Sequence, residues 1–128
     1  MEDYAMTSTR TATIHVRPFK EAMATTRKEA INAWTTGRYQ GEHFGFESAA
    51  VLFRRITPKR WAMLECLQRT GPLTIRALAR ELDRQFRRVH DDVTALLQMG
   101  LIEKTADGKV GVPFKEIRID SVLRSAAA

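Results

Sequence analysis

Residues 74–101 read T-I-R-A-L-A-R-E-L-D-R-Q-F-R-R-V-H-D-D-V-T-A-L-L-Q-M-G-L. Leu78 and Leu82 stand one turn apart, which predicts a short helix over residues 75–82. Asp83 interrupts it, and apolar periodicity resumes over residues 84–99 until Gly100, a residue suited to a helix C-cap. At 100° per residue, Leu82, Phe86, Val89, Val93, Leu96 and Leu97 fall within about 100° of arc, a stripe expected to face other helices. Arg84, Arg87, Arg88 and Asp91 fall on the opposite side, in the first two turns. A short helix, a tight turn and a longer helix opening on arginines is the layout of a helix-turn-helix, whose second helix reads DNA.

The flanking chain supplies punctuation. Thr57-Pro58 predicts a helix start, because threonine caps and proline at the first position lacks only an N–H that has no partner there. The helix over residues 58–69 carries Trp61, Leu64, Cys66 and Leu67 on a broad stripe and stops at Gly71-Pro72. After residue 100 a hairpin is expected: residues 101–104, the turn Ala106-Asp107-Gly108, and residues 109–112. Asp-Gly favours the positive φ angles of a type I′ turn. Three helices followed by a hairpin is the order of a winged helix-turn-helix.

Toward the N-terminus, residues 1–11 are polar and aperiodic and read as a loose tail. Ala12, Ile14 and Val16 alternate with Thr13, His15 and Arg17, a strand signal that Pro18 ends. Met23, Ala30, Ile31 and Trp34 predict a helix over residues 19–36. Residues 41–46, with Phe44 and Phe46 on one side, suggest a second strand. Ser48 caps a helix over residues 49–56 bearing Val51, Leu52, Phe53 and Ile56. Near the C-terminus, Ile117 and Ile119 alternate with Arg118 and Asp120, consistent with a further short strand. The expected class is α+β and mainly helical: a strand-helix-strand-helix packing and dimerisation segment over residues 12–56, then the winged helix-turn-helix over residues 57–124.

Composition narrows the partner. Of 128 residues, 44% are hydrophobic and 28% charged, an ordinary globular balance that allows a real core. Net charge is +6, with 8 basic against 6 acidic residues up to Thr57 and 13 against 9 beyond it. So modest an excess makes attraction to a polyanion depend on where the arginines sit. An arginine-rich helix face is most often only a solvated face, and Asp91-Asp92 partly cancel it. The ordered helices and hairpin around it are what favour double-stranded DNA. Arg84, Arg87 and Arg88 suit guanine or phosphate, and Gln85 suits adenine. Thr74 and Arg76 are placed to meet the backbone at a helix start. Lys104 and Lys109, in the wing over residues 101–112, suit phosphates or the minor groove.

Other chemistries fare worse. The single cysteine, Cys66, excludes an intramolecular disulfide and fits a reducing cytoplasm. His15, His43, His90 and Cys66 lack metal-ligand spacing, so neither a metal nor a cofactor is expected. No nucleophile-base set or glycine-rich phosphate loop is recognisable, which argues against an enzyme. No apolar run reaches the ~18 residues of a membrane span. Trp34, Phe44, Phe46 and Phe53 read as core or dimer packing rather than a surface for single strands. Two half-sites about 34–36 Å apart call for a two-fold homodimer.

The stretch L-T-I-R-A-L-A-R-E-L-D-R-Q-F-R-R-V-H-D-D-V-T-A-L-L-Q-M-G-L-I-E-K resembles MarR-like winged-helix transcriptional regulators. More narrowly, the chain is similar over about residues 13–123 to small prokaryotic predicted DNA-binding regulators. These share the N-terminal strand and helix and a segment like F-E-S-A-A-V-L-F-R-R-I-T-P-K-R-W. The resemblance implies a repressor, with Arg84, Gln85, Arg87 and Arg88 as base or phosphate contacts. It also implies, as an alternative, an antitoxin that binds a toxin protein encoded nearby and represses its own operon. Long flanking helices like those that form the dimer interface and ligand cleft of larger MarR-type proteins are missing, so an aromatic-acid sensor is not implied.

Overall fold

A computed structural model of the protein describes residues 9–16, 27, 28, 31, 41–123 and 125. The fold is α+β. The described chain divides into two compact units, residues 55–115 and residues 10–54 with the segment from 116 onward.

Helix α1 (Ala49–Arg55) falls in the smaller unit apart from its last residue, and the larger unit holds α2 (Pro58–Thr70), α3 (Ile75–Leu82) and α4 (Phe86–Met99). Local chemistry sets these boundaries. Thr57 Oγ1 accepts from the Arg60 amide at 3.2 Å, and Pro58 opens the helix as expected. Thr74 Oγ1 does the same for the Ala77 amide at 3.1 Å. Such caps satisfy donors that the helix itself leaves open. Gly71, Gly100 and Asp83 end α2, α4 and α3 with positive φ, and Asp83 is the only non-glycine among the described residues to do so. The core gathers Met63, Leu64, Cys66 and Leu67 from α2, Leu78 and Ala79 from α3, and Val89, Val93 and Leu96 from α4. Met63, absent from the expected stripe, is fully buried, whereas Trp61 is half-buried.

Strands β3 (Glu103–Lys104) and β4 (Val110–Gly111) form the expected antiparallel hairpin. Its turn differs from the I′ expectation, because only Gly108 has a positive φ, +81°. The Gly108 amide donates to the Thr105 carbonyl at 3.1 Å and the Thr105 amide to the Lys109 carbonyl at 2.8 Å. That is a type I turn closed by a glycine bulge, which carries one residue more than a I′ turn. The Thr105 hydroxyl also donates to Asp107 and fixes the loop. Leu73, between α2 and α3, exchanges two backbone bonds with Val110 at 3.0 and 2.8 Å and adds a third rung to the hairpin. Leu101, Ile102, Val110, Val112 and Phe114 carry apolar burial through this segment.

The second unit is a parallel sheet in the order β2 (Glu42–Phe46), β1 (Thr11–Val16), β5 (Glu116–Asp120). Register runs Ala12 to Glu42 through Val16 to Phe46 on one side, and Thr11 to Glu116 through His15 to Asp120 on the other. Ala12 and Ile14 are buried, and Arg10 clamps Glu42 with two bonds of 2.9 and 2.6 Å. The C-terminal strand thus belongs with the N-terminal strands, so the expected domain over residues 57–124 is cut short near 115. Ser48 Oγ caps α1 as expected, and Leu52 is its buried residue. Phe53, expected to pack, is 65% exposed. The helix expected over residues 19–36 lies outside the described residues apart from 27, 28 and 31, which are helical. Most of the expected tail over residues 1–11, and Trp34, lie outside them too.

Candidate functional site

The start of α4 differs from the starts of α2 and α3. Its N-cap is Gln85, whose side chain makes no capping bond, and like theirs its first turn holds no acidic residue. The open N–H groups and the helix dipole therefore leave partial positive charge at this end. The turn before it is tight: the Asp83 and Arg84 amides donate to the Arg80 and Ala79 carbonyls at 3.1 and 3.0 Å. Gln85, Phe86, Arg87 and Arg88 follow as four successive exposed residues. Among the described residues Arg87 and Arg88 enter no salt bridge or side-chain hydrogen bond.

Arg84 departs from the expectation that it faces outward with them. It precedes the helix, its side chain is 17% exposed, and its Nη2 donates to Asp92 Oδ2 at 2.8 Å. Arg60 of α2 donates Nε to the other oxygen, Oδ1, at 3.0 Å, and Nη1 to the Arg55 carbonyl at 2.8 Å. Burial alone would raise the Asp92 pKa, but the hydrogen bonds and charges of Arg84 and Arg60 outweigh it and hold the carboxyl below its ordinary value. One carboxylate thus ties α2 and the turn to α4. Arg84 anchors the turn, whereas Arg87 and Arg88 are without an ion pair among the described residues. A shallow depression bordered by Lys59, Arg88 and Asp91 lies beside this network.

On the other flank, Arg76 of α3 lays its guanidinium over the Phe86 ring, 4.7 Å from the centroid. His90 approaches the same ring at 6.0 Å. Phe86 is 40% exposed, although the periodicity put it on the packed stripe. A helical wheel gives direction only, and at the first position of α4 the ring projects past the packed neighbours. Nothing in the spacing flags this. Arg76, Arg80, Gln85 and Phe86 border a second open depression. The Thr74 hydroxyl is engaged as a cap acceptor but keeps its own O–H to donate.

In the hairpin, Lys104 is exposed and carries no ion pair among the described residues, while Lys109 Nζ lies 3.6 Å from Asp107. The Thr105 hydroxyl, with help from Lys109, holds the Asp107 carboxyl below its usual pKa. Exposed basic groups of the larger unit thus stand at the start of α4, on α3 and in the hairpin. Cys66 lies inside, 2% exposed, and burial pushes its thiol pKa up.

The second unit brings two histidines together that sequence spacing kept apart. The rings of His15 and His43 stack at 4.9 Å, with Nε2 of the first 2.7 Å from Nδ1 of the second, and Asp120 lies 3.5 Å from His15 Nδ1. His43 stands opposite Thr13 and His15 opposite Gly45, so the two rings meet diagonally across neighbouring parallel strands, while Asp120 is directly opposite His15. No group of three or more His, Cys, Asp or Glu among the described residues is arranged to hold a metal ion. No helix among them is long and apolar enough to cross a membrane.

Neither the curated proteins nor the solved structures contain a match to this chain. The family model named HVO_A0114 matches residues 55–119, which are the three helices, the hairpin and most of β5. With half of its length inside that match, the chain belongs to the HVO_A0114 family.

Proposed function

We propose that this protein is a sequence-specific double-stranded DNA-binding regulator of the winged helix-turn-helix type, acting as a repressor. The observation that carries the reading is the start of α4: Arg87 and Arg88 are exposed and unpaired among the described residues, on a helix end with no side-chain cap. Two further features support it. The segments follow the order helix, Leu73 bridge, helix, helix, hairpin. Arg84, Asp92 and Arg60 tie the turn before α4 and helix α2 to the second turn of α4.

In this reading α4 enters the major groove with its N-terminal end. Arg87 and Arg88 pair with guanine edges or phosphates, and Gln85 pairs with adenine. Arg76 and Thr74 meet the backbone at the start of α3, and Lys104 and Lys109 meet phosphates from the wing. Two copies on two half-sites complete the operator.

The test is selection of duplexes from a random pool by the full chain, followed by gel-shift titration. The double variant Arg87→Ala/Arg88→Ala is expected to lose specific binding while keeping its melting temperature. Unchanged affinity in that variant would sink the proposal.

A further inference from the structure

We infer that Phe86 is a thymine-reading residue, its ring packing against the 5-methyl group in the major groove. The inference rests on the DNA-binding reading above and adds a base preference to it.

Along this face of α4, Val89, Val93 and Leu96 are at most 1% exposed and Leu97 is half-buried, whereas Phe86 is 40% exposed. The exposed part of that ring adds nothing to apolar burial in the fold. It is nevertheless held in place. Arg76 covers one face at 4.7 Å from the centroid, and His90 stands at 6.0 Å with its plane tilted by 38°. A guanidinium over a ring face is attractive, so the pair limits the orientations of both side chains. The ring is therefore presented rather than loose.

Its neighbours fix what it can meet. Gln85, Arg87 and Arg88 supply hydrogen-bonding groups at the same helix end, and Phe86 is the only exposed apolar side chain of that turn. Base edges in the major groove present donors, acceptors and one apolar group, the thymine methyl. The polar side chains can satisfy every edge except that one. Phe86 is the complement to it.

The experiment uses duplexes selected by the full chain, resynthesised with each thymine in turn replaced by uracil, which deletes only the methyl. For the wild type, replacement at one thymine per half-site should lower affinity about four-fold, the effect of one buried methyl-sized group. Phe86→Ala should bind the thymine and uracil duplexes equally, and Phe86→Leu should retain part of the discrimination. Melting temperatures of both variants identify any loss of folding, and Phe86→Leu keeps the comparison open if Phe86→Ala unfolds. The inference is overturned if no uracil replacement weakens the wild type, or if the weakening persists undiminished in Phe86→Ala or, should that variant unfold, in Phe86→Leu. A ring wedged between bases without touching the methyl would give the first pattern, and losing it would weaken both duplexes alike. Enrichment of Arg87- and Arg88-dependent sites with no methyl effect overturns this inference alone. Failure to enrich any duplex overturns the DNA-binding reading with it.

Discussion

Arg84 and Asp92 are joined Nη2 to Oδ2 at 2.8 Å, closing the turn before α4 onto the second turn of that helix. Asp92 also receives Arg60, so both of its oxygens carry charge-assisted bonds. Removing the carboxylate leaves two half-buried guanidinium groups without their acceptor. A hydrogen bond to a charged group is worth about 1.5–3 kcal/mol. Asp92→Ala should therefore cost about 2 kcal/mol and lower the melting temperature by roughly 10 °C. Asp91→Ala, at a side chain 72% exposed, should leave it within roughly 2 °C. Thermal denaturation followed by circular dichroism checks both, and equal shifts would contradict the brace.

The same carboxylate sets a pH dependence. Its folded pKa lies below the ordinary value because Arg84 and Arg60 outweigh the effect of burial. A lowered folded pKa adds stability above the unfolded pKa, about 3.9, and that stability drains away as pH falls toward the folded value. The melting-temperature gap between wild type and Asp92→Asn should be full at pH 7 and shrink below about pH 4. Melts of the two proteins from neutral to acid pH measure it. A gap that stayed constant would mean that Asp92 titrates normally in the folded protein.

The parts of the fold that were legible in the sequence are those decided by atoms a few residues apart. Thr57-Pro58, Thr74 and Asp83 each act within one turn, and α3 spans the expected residues 75–82. The glycine at 108 announced a hairpin, but not which turn would use it. What stayed hidden depends on distant partners. The pairing of β5 with β1 joins residues about a hundred positions apart, and alternation in a five-residue strand says nothing of its neighbour. Arg84 looked equivalent to Arg87 on a wheel, because a wheel assumes the helix has already begun. Phe53 and Phe86 have the direction of packed residues yet are 65% and 40% exposed, which a wheel does not register.

Gly108 offers a direct test of the hairpin turn. Its φ is +81°, and a Cβ placed there would meet no atom within 4 Å, so backbone strain is the only penalty. Gly108→Ala should cost about 1 kcal/mol, and Gly108→Asn less, since asparagine tolerates this region better. Chemical denaturation of the two variants should rank them in that order below wild type. Equal stability of all three would place the glycine outside the left-handed region.

Stability and binding should separate cleanly around α4. Arg84 is spent on Asp92, while Arg87 and Arg88 touch no partner among the described residues. Arg84→Ala should lower the melting temperature, because Asp92 loses a charge-assisted bond, by roughly 4–8 °C for each kcal/mol lost. Arg88→Ala should leave melting unchanged and weaken DNA binding instead. If Arg88 neutralises a phosphate, the slope of log K against log salt concentration should fall by about 0.9 in that variant. If it reads a guanine, the slope should hold and selectivity at one base pair should drop, by about 1–3 kcal/mol. Titrations of wild type and Arg88→Ala at several salt concentrations, on selected and scrambled duplexes, distinguish the two roles. Loss of stability in Arg88→Ala comparable to that in Arg84→Ala would contradict the division of labour between them.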